Sequence, residues 1–312
     1  MTPTFDADLD ARAFDTLFEQ VITPAVSTHE VERRRLVARF WRWIAIAAAV
    51  GGVAAGVIMA MTHDDDAQMI PLFAIIVAAV FGYLPLTRFQ ARCKAIILAD
   101  LGRSLGLTYR GEGFEPPAFQ RVRALGLVPS HDAATFEDLF SGERQGCPFD
   151  LYEARLTEED DDHKTRTRFR GQIARVRFPK SFLGVTVVAR EGASFRPPKG
   201  LKRVGLESSE FERAFEVSGS DQVEARYLVH PAFMARLIDL EKAAAGQRIR
   251  CAFEDGDLLI AMEGGDLFEV ANAFRPLPDR DGVRKGLQEL DAVLKLIGAV
   301  LDPPRPQYGA AS

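Results

Sequence analysis

From Trp41 to Met61 the chain reads WRWIAIAAAVGGVAAGVIMAM, and from Met69 to Leu86 it reads MIPLFAIIVAAVFGYLPL. Only Thr62-His63-Asp64-Asp65-Asp66-Ala67-Gln68 separates the two runs, and Arg42 is the one Asp, Glu, Lys or Arg in either. About 20 apolar residues at about 1.5 Å rise each cross a hydrocarbon core, so the pair reads as a transmembrane helical hairpin. A cleaved signal peptide does not fit, because about forty residues precede the first run and a second run follows at once.

The flanks orient this hairpin. Arg33, Arg34, Arg35, Arg39 and Arg42 precede or open the first span, Arg88, Arg92 and Lys94 follow the second, and the connecting loop carries three aspartates without Lys or Arg. Basic residues stay on the cytoplasmic side, which predicts a multi-pass protein of the inner membrane with both termini cytoplasmic. Trp41, Trp43 and Tyr83 fall near that boundary and are expected to be membrane-interface anchors.

Outward from the hairpin, four regions are expected. Residues 1–40 form a cytoplasmic segment with an amphipathic helix that Pro24 interrupts. Residues 41–86 form the hairpin (41–61 and 69–86), residues 87–302 a stalk helix and an α+β cytoplasmic domain, and residues 303–312 a disordered tail. Ser27-Thr28-His29-Glu30 has the spacing of a capping box, from which a helix can enter the first span.

After Gly111 the period changes. Strand-like runs at Thr135 to Ser141, Phe149 to Leu156, Thr167 to Phe178 and Leu183 to Arg190 are joined by short links, the pattern of an antiparallel sheet. Further strands are expected at Arg203 to Glu207 and Phe215 to Ser218, and helices at Asp221 to Val229 and Pro231 to Ala245. Arg248 to Phe253 and Leu258 to Met262 flank Glu254-Asp255-Gly256-Asp257, whose Asp-Gly favours a type I′ hairpin turn. An apolar face from Val283 to Val300 predicts a last helix. The fold class is therefore α+β: a two-helix transmembrane hairpin followed by a cytoplasmic antiparallel sheet with flanking helices.

Three groups of residues carry a resemblance. They are Phe169-Arg170-Gly171-Gln172, the segment from Val204 to Glu212 with Phe215-Glu216-Val217, and Asp221 to Leu228 followed by Pro231-Ala232-Phe233-Met234. Together they resemble the bacterial DUF3137 family over nearly the whole chain. The resemblance implies membrane spans joined to a cytoplasmic domain, carries no established catalytic residue, and places His230 where a small polar helix cap is expected.

The chain's 39 basic and 44 acidic residues leave a net charge of −5, which argues against general nucleic-acid binding. Cys93, Cys147 and Cys251 are scattered, without disulfide or zinc spacing. His29, His63, His131, His163 and His230 stand outside known catalytic or metal-binding patterns, so neither cofactor nor metal is expected. His63-Asp64-Asp65-Asp66 reads as a hydrated acidic loop. Gly52-x-x-x-Gly56 would let a second helix approach closely, either within the hairpin or in a homo-oligomer.

Arg166, Arg168 and Arg170 alternate with Thr165, Thr167 and Phe169. On a regular strand the three guanidinium groups share one face and could bind anionic lipid or an acidic protein partner, or pair with the acids at Glu158 to Asp162. Glu207, Glu210, Glu212 and Asp221 form the other concentration of carboxylates. The leading expectation is a membrane-anchored, non-enzymatic binding module acting as adaptor, sensor or regulator, with the lipid bilayer as its first partner. The alternative is a membrane-associated hydrolase using those clustered acids, which requires two of them to converge.

Overall fold

The computed structural model describes residues 11–27, 29–62, 69–160, 163–179, 181–190, 198–243, 248–264, 274, 278, 280–285, 287–288 and 290–291. The chain divides into two compact units. One comprises residues 15–101 with 269–283, and the other residues 1–14, 102–268 and 284–312.

The first unit is built on two long helices, α3 and α4 in chain order. Ahead of them, α1 (Ala11–Leu17) passes through a π-helical turn (Phe18–Ile22) into α2 (Thr23–Ser27). Pro24 therefore does not end the helix as expected. The Thr23 N–H bonds the Phe18 carbonyl, and this widened turn admits the prolyl ring, which lacks a donor. Ser27 Oγ donates to the Pro24 carbonyl at 3.1 Å, and Glu30 accepts from Arg33 and Arg34, so both side chains of the expected capping box have other partners.

Helix α3 (Glu30–Thr62) and helix α4 (Met69–Ser104) contain the two apolar runs, and each extends past its run on the arginine-rich side. Both are long and apolar enough to cross a membrane, and little of either apolar window is buried. Pro85 lies inside α4. Below it, Leu86, Phe89, Cys93, Ile97, Leu98 and Leu101 are buried and give the extension an inward face. The acidic loop at 63–68 lies outside the described residues.

The second unit is a nine-stranded antiparallel sheet in the order β1-β2-β3-β4-β9-β8-β5-β7-β6. Its strands are β1 (Thr108–Arg110), β2 (Ala133–Arg144), β3 (Cys147–Glu159), β4 (Thr165–Arg177), β5 (Thr186–Arg190), β6 (Lys202–Arg203), β7 (Phe215–Gly219), β8 (Arg248–Glu254) and β9 (Asp257–Glu263). The helices of this unit are α5 (Phe119–Ala124), α6 (Ser209–Ala214), α7 (Gln222–Leu228) and α8 (Pro231–Ala243). The strand expected over Arg203 to Glu207 is shorter and earlier. Residues 280–285 and 287–288 are helical, with Val283, Leu287 and Leu290 buried, while residues 292–301 of the last expected helix lie outside the described ones.

Register explains the order. The β8–β9 hairpin turns at Asp255 (φ +47°) and Gly256 (φ +76°), the positive pair that a type I′ turn requires. It inserts between β4 and β5, with Ala174 opposite Ile260 and Val188 opposite Cys251. A core cluster lies where Phe119 and Val122 of α5, with Leu125 just after it, meet Leu139, Tyr152, Leu156, Phe169, Ile173 and Leu259.

Candidate functional site

Trp41, Trp43 and Tyr83 are exposed, as side chains facing a bilayer interface would be. Tyr83 stacks on Phe274 at 6.4 Å between ring centroids, and Trp41 meets Phe40 edge-on at 5.4 Å.

On β4 the structure separates the three arginines. Leu156 pairs with Phe169 but Thr157 pairs with Thr167, so Arg168 is the extra residue of a β-bulge. One inserted residue reverses the alternation beyond it. Arg166, opposite Glu158, therefore shares the face of Leu156 and Phe169, whereas Arg170, opposite Arg155, lies on the other. The expected single face of three guanidinium groups is corrected. Arg166 pairs with Asp160 and Arg168 with Glu158, each at 3.3 Å and partly in solvent.

Arg170 instead lines a small recess with Thr135, Glu137, Glu153, Ala154, Arg155 and Gly171. A second bulge builds this place. The register shifts between Glu137 and Phe140, and Asp138 takes a left-handed backbone (φ +56°) that turns its carboxyl inward. Oxygens of Glu137, Asp138 and Glu153 lie within 4.8 Å of one another. Tyr109 donates to Asp138 Oδ1 at 2.6 Å, and burial, followed by the charge of Asp138, pushes the Tyr109 phenol up from its ordinary value. Three oxygen donors of this kind suit a hard cation, and Arg155 and Arg170 place positive charge beside them. Sequence reading missed this group because the acids come from two strands. The available signal was an aspartate inside a β-patterned run, where it is disfavoured.

The acids of the segments that resemble DUF3137 have structural partners instead. Asp221 caps α7 by accepting from Val223 and Glu224 N–H, both at 2.8 Å, and Ser208 caps α6 by accepting from Phe211 N–H at 3.3 Å. Glu212 accepts the Leu206 N–H at 2.8 Å, and Glu224 accepts those of Leu183 and Gly184. Glu207 and Glu210 are exposed. His230 supplies the missing small cap itself, its Nδ1 accepting from Phe233 N–H at 3.4 Å. Gly171 is required by close approach, since a Cβ there would stand 1.9 Å from the Met262 carbonyl oxygen.

Residues 167–301 match the model of a family described as "Protein of unknown function (DUF3137)". This region belongs to DUF3137. The match begins within β4 and so spans less of the chain than the near-complete resemblance expected. Among solved structures, the mycobacterial trehalose monomycolate transport factor A, TtfA, is similar at 15% identity over 70% of this chain and 99% of that one, with a TM-score of 0.38. No curated protein matches.

At the start of β9, the DUF3137 region also contains a buried charge. Asp257 is fully buried and accepts from Arg121 Nη1 at 2.5 Å and Arg175 Nε at 3.1 Å, with Arg177 Nη1 at 3.5 Å. Arg121 also holds Glu254 through Nε at 2.8 Å. Buried ions persist when paired in this way, and the network ties α5, β4 and the β8–β9 turn together.

Proposed function

We propose that the protein is a membrane-anchored binding module, an adaptor, sensor or regulator, set in the bacterial inner membrane with both termini and the DUF3137 region on the cytoplasmic side. The reading is carried by the exposure of the two spans. Phe73 and Phe81 are each 70% exposed and Val53 69%. Apolar surface held in water costs roughly 25 cal/mol per Å², and a bilayer removes that cost. The arginines at one end of both helices favour the cytoplasmic orientation.

A binding rather than catalytic role is supported by the commitments of the acids. Glu212, Asp221 and Glu224 hold backbone amides. The docking surface lies at the end of β3 and β4 where Arg155 and Arg170 are cross-strand neighbours, both exposed, with Arg166 and Arg168 nearby in sequence. Guanidinium pairs of this kind take carboxylate groups of an acidic partner protein.

The test is affinity capture with the full chain from detergent-solubilised membranes, beside a variant with Arg155→Glu and Arg170→Glu. A partner retained by the natural chain and lost by the variant is expected. Equal recovery of every protein by both would contradict the docking surface.

A further inference from the structure

Along the hairpin, α3 and α4 approach each other closely at two levels. A Cβ on Gly51 would stand 2.7 Å from Pro71 Cα, and one on Gly82 would stand 3.0 Å from Phe40 Cδ2. Ala74, Ala78 and Gly82 of α4 line a space against α3, with Phe73, Val77 and Phe81 beside them. The result is a groove of about 620 Å³, closed on the α3 side by Phe40 and Trp43 and reaching Arg39.

Its dimensions select an occupant. From Phe73 to Pro85 the groove runs about 18 Å along the helix, close to the depth of one leaflet of a roughly 30 Å hydrocarbon core. A second helix of that length, about 10 Å across, would fill roughly 1,400 Å³ and could only ride over the rim. A flexible acyl chain can enter. Charge selects the head group. Arg33 and Arg34 are paired with Glu30, and Arg92 with Glu32, whereas Arg39 is exposed and makes no ion pair among the described residues. An unpaired guanidinium at the membrane-surface end of an apolar groove matches a phosphate attached to a fatty chain.

We propose that this groove seats one anionic phospholipid of the leaflet beside the arginines, with an acyl chain against Ala78 and its phosphate against Arg39. The assignment rests on the membrane reading above. It makes the hairpin a lipid-reading element as well as an anchor, because an occupied groove braces α3 against α4.

The experiment is native mass spectrometry of the full chain released from nanodiscs of equal parts phosphatidylglycerol and phosphatidylcholine. One phosphatidylglycerol should survive on the natural chain after the bulk lipid is stripped. Arg39→Gln should lower the preference for it about fivefold, the worth of one arginine near an anionic surface. Ala78→Phe, which fills the groove, should abolish the retained lipid while the chain still enters nanodiscs. Retained lipid that follows bulk composition, unchanged retention in both variants, or a lipid-free dimer would each overturn the groove assignment while leaving the anchor intact. A natural chain that never enters nanodiscs would instead overturn the membrane reading, and the lipid seat with it.

Discussion

The helical hairpin and the sheet unit treat the same side chains in opposite ways. Phe73 and Phe81 point outward from α4, while Phe140, Phe211, Phe233 and Phe253 are sealed inside the sheet unit. Charges follow the reverse rule, since the apolar runs hold only Arg42 while the sheet encloses Asp257 among three arginines. The difference is what the proposed membrane reading requires, with the two regions facing different solvents. In the sheet unit, apolar burial and ion pairing balance against water. On the proposed reading, the hairpin's backbone is satisfied by helix formation alone and its side chains face hydrocarbon.

The largest expected effect breaks the sheet side of the contrast. Asp257→Ala would leave Arg121 and Arg175 without their shared acceptor, at a cost of about 3–5 kcal/mol in urea unfolding of the sheet signal. A loss under 1 kcal/mol would mean that the arginines turn to solvent. The mirror-image change, Val53→Asp, puts a charge near the middle of a span and should cost about 3 kcal/mol of membrane insertion, read as a fall in the integrated fraction. Unaltered integration would mean that α3 does not lie in hydrocarbon.

A smaller effect sharpens the comparison through Tyr109. Its folded pKa is raised above the unfolded value of about 10, so above that pH the unfolded state binds fewer protons. The contribution is complete below about pH 10 and is lost as pH rises further. Tyr109→Phe should flatten that alkaline loss and cost about 2 kcal/mol at neutral pH through the missing bond to Asp138. Smallest is Asp221→Ala, which removes the α7 cap for about 1 kcal/mol without altering membrane integration.

The features legible in the sequence were those written locally. Spans of this length and charge contrast, and an Asp-Gly between alternating runs, each specify structure within a few residues. Two bulges were not legible, because Arg168 and Asp138 become extra residues only when β4 and β2 are set against β3. A pattern of alternating arginines looks uniform until the partner strand fixes register. The same holds for β8 and β9, whose insertion between β4 and β5 is decided by long-range pairing. Asp257 read as turn punctuation, since nothing near it in sequence announces Arg121 or Arg175. At the candidate site, Arg170 was found from the sequence but Arg155, Glu137 and Glu153 were not, each being supplied by another strand. His230 departed from the expected cap chemistry, and an imidazole nitrogen fills the role.

The central claim is that the hairpin's outward apolar surface is solvated by lipid. Alkaline carbonate extraction of membranes from cells expressing the full chain tests it most directly. The account predicts that the protein stays in the pellet and leaves only with detergent. Release of the chain into the carbonate supernatant would contradict it.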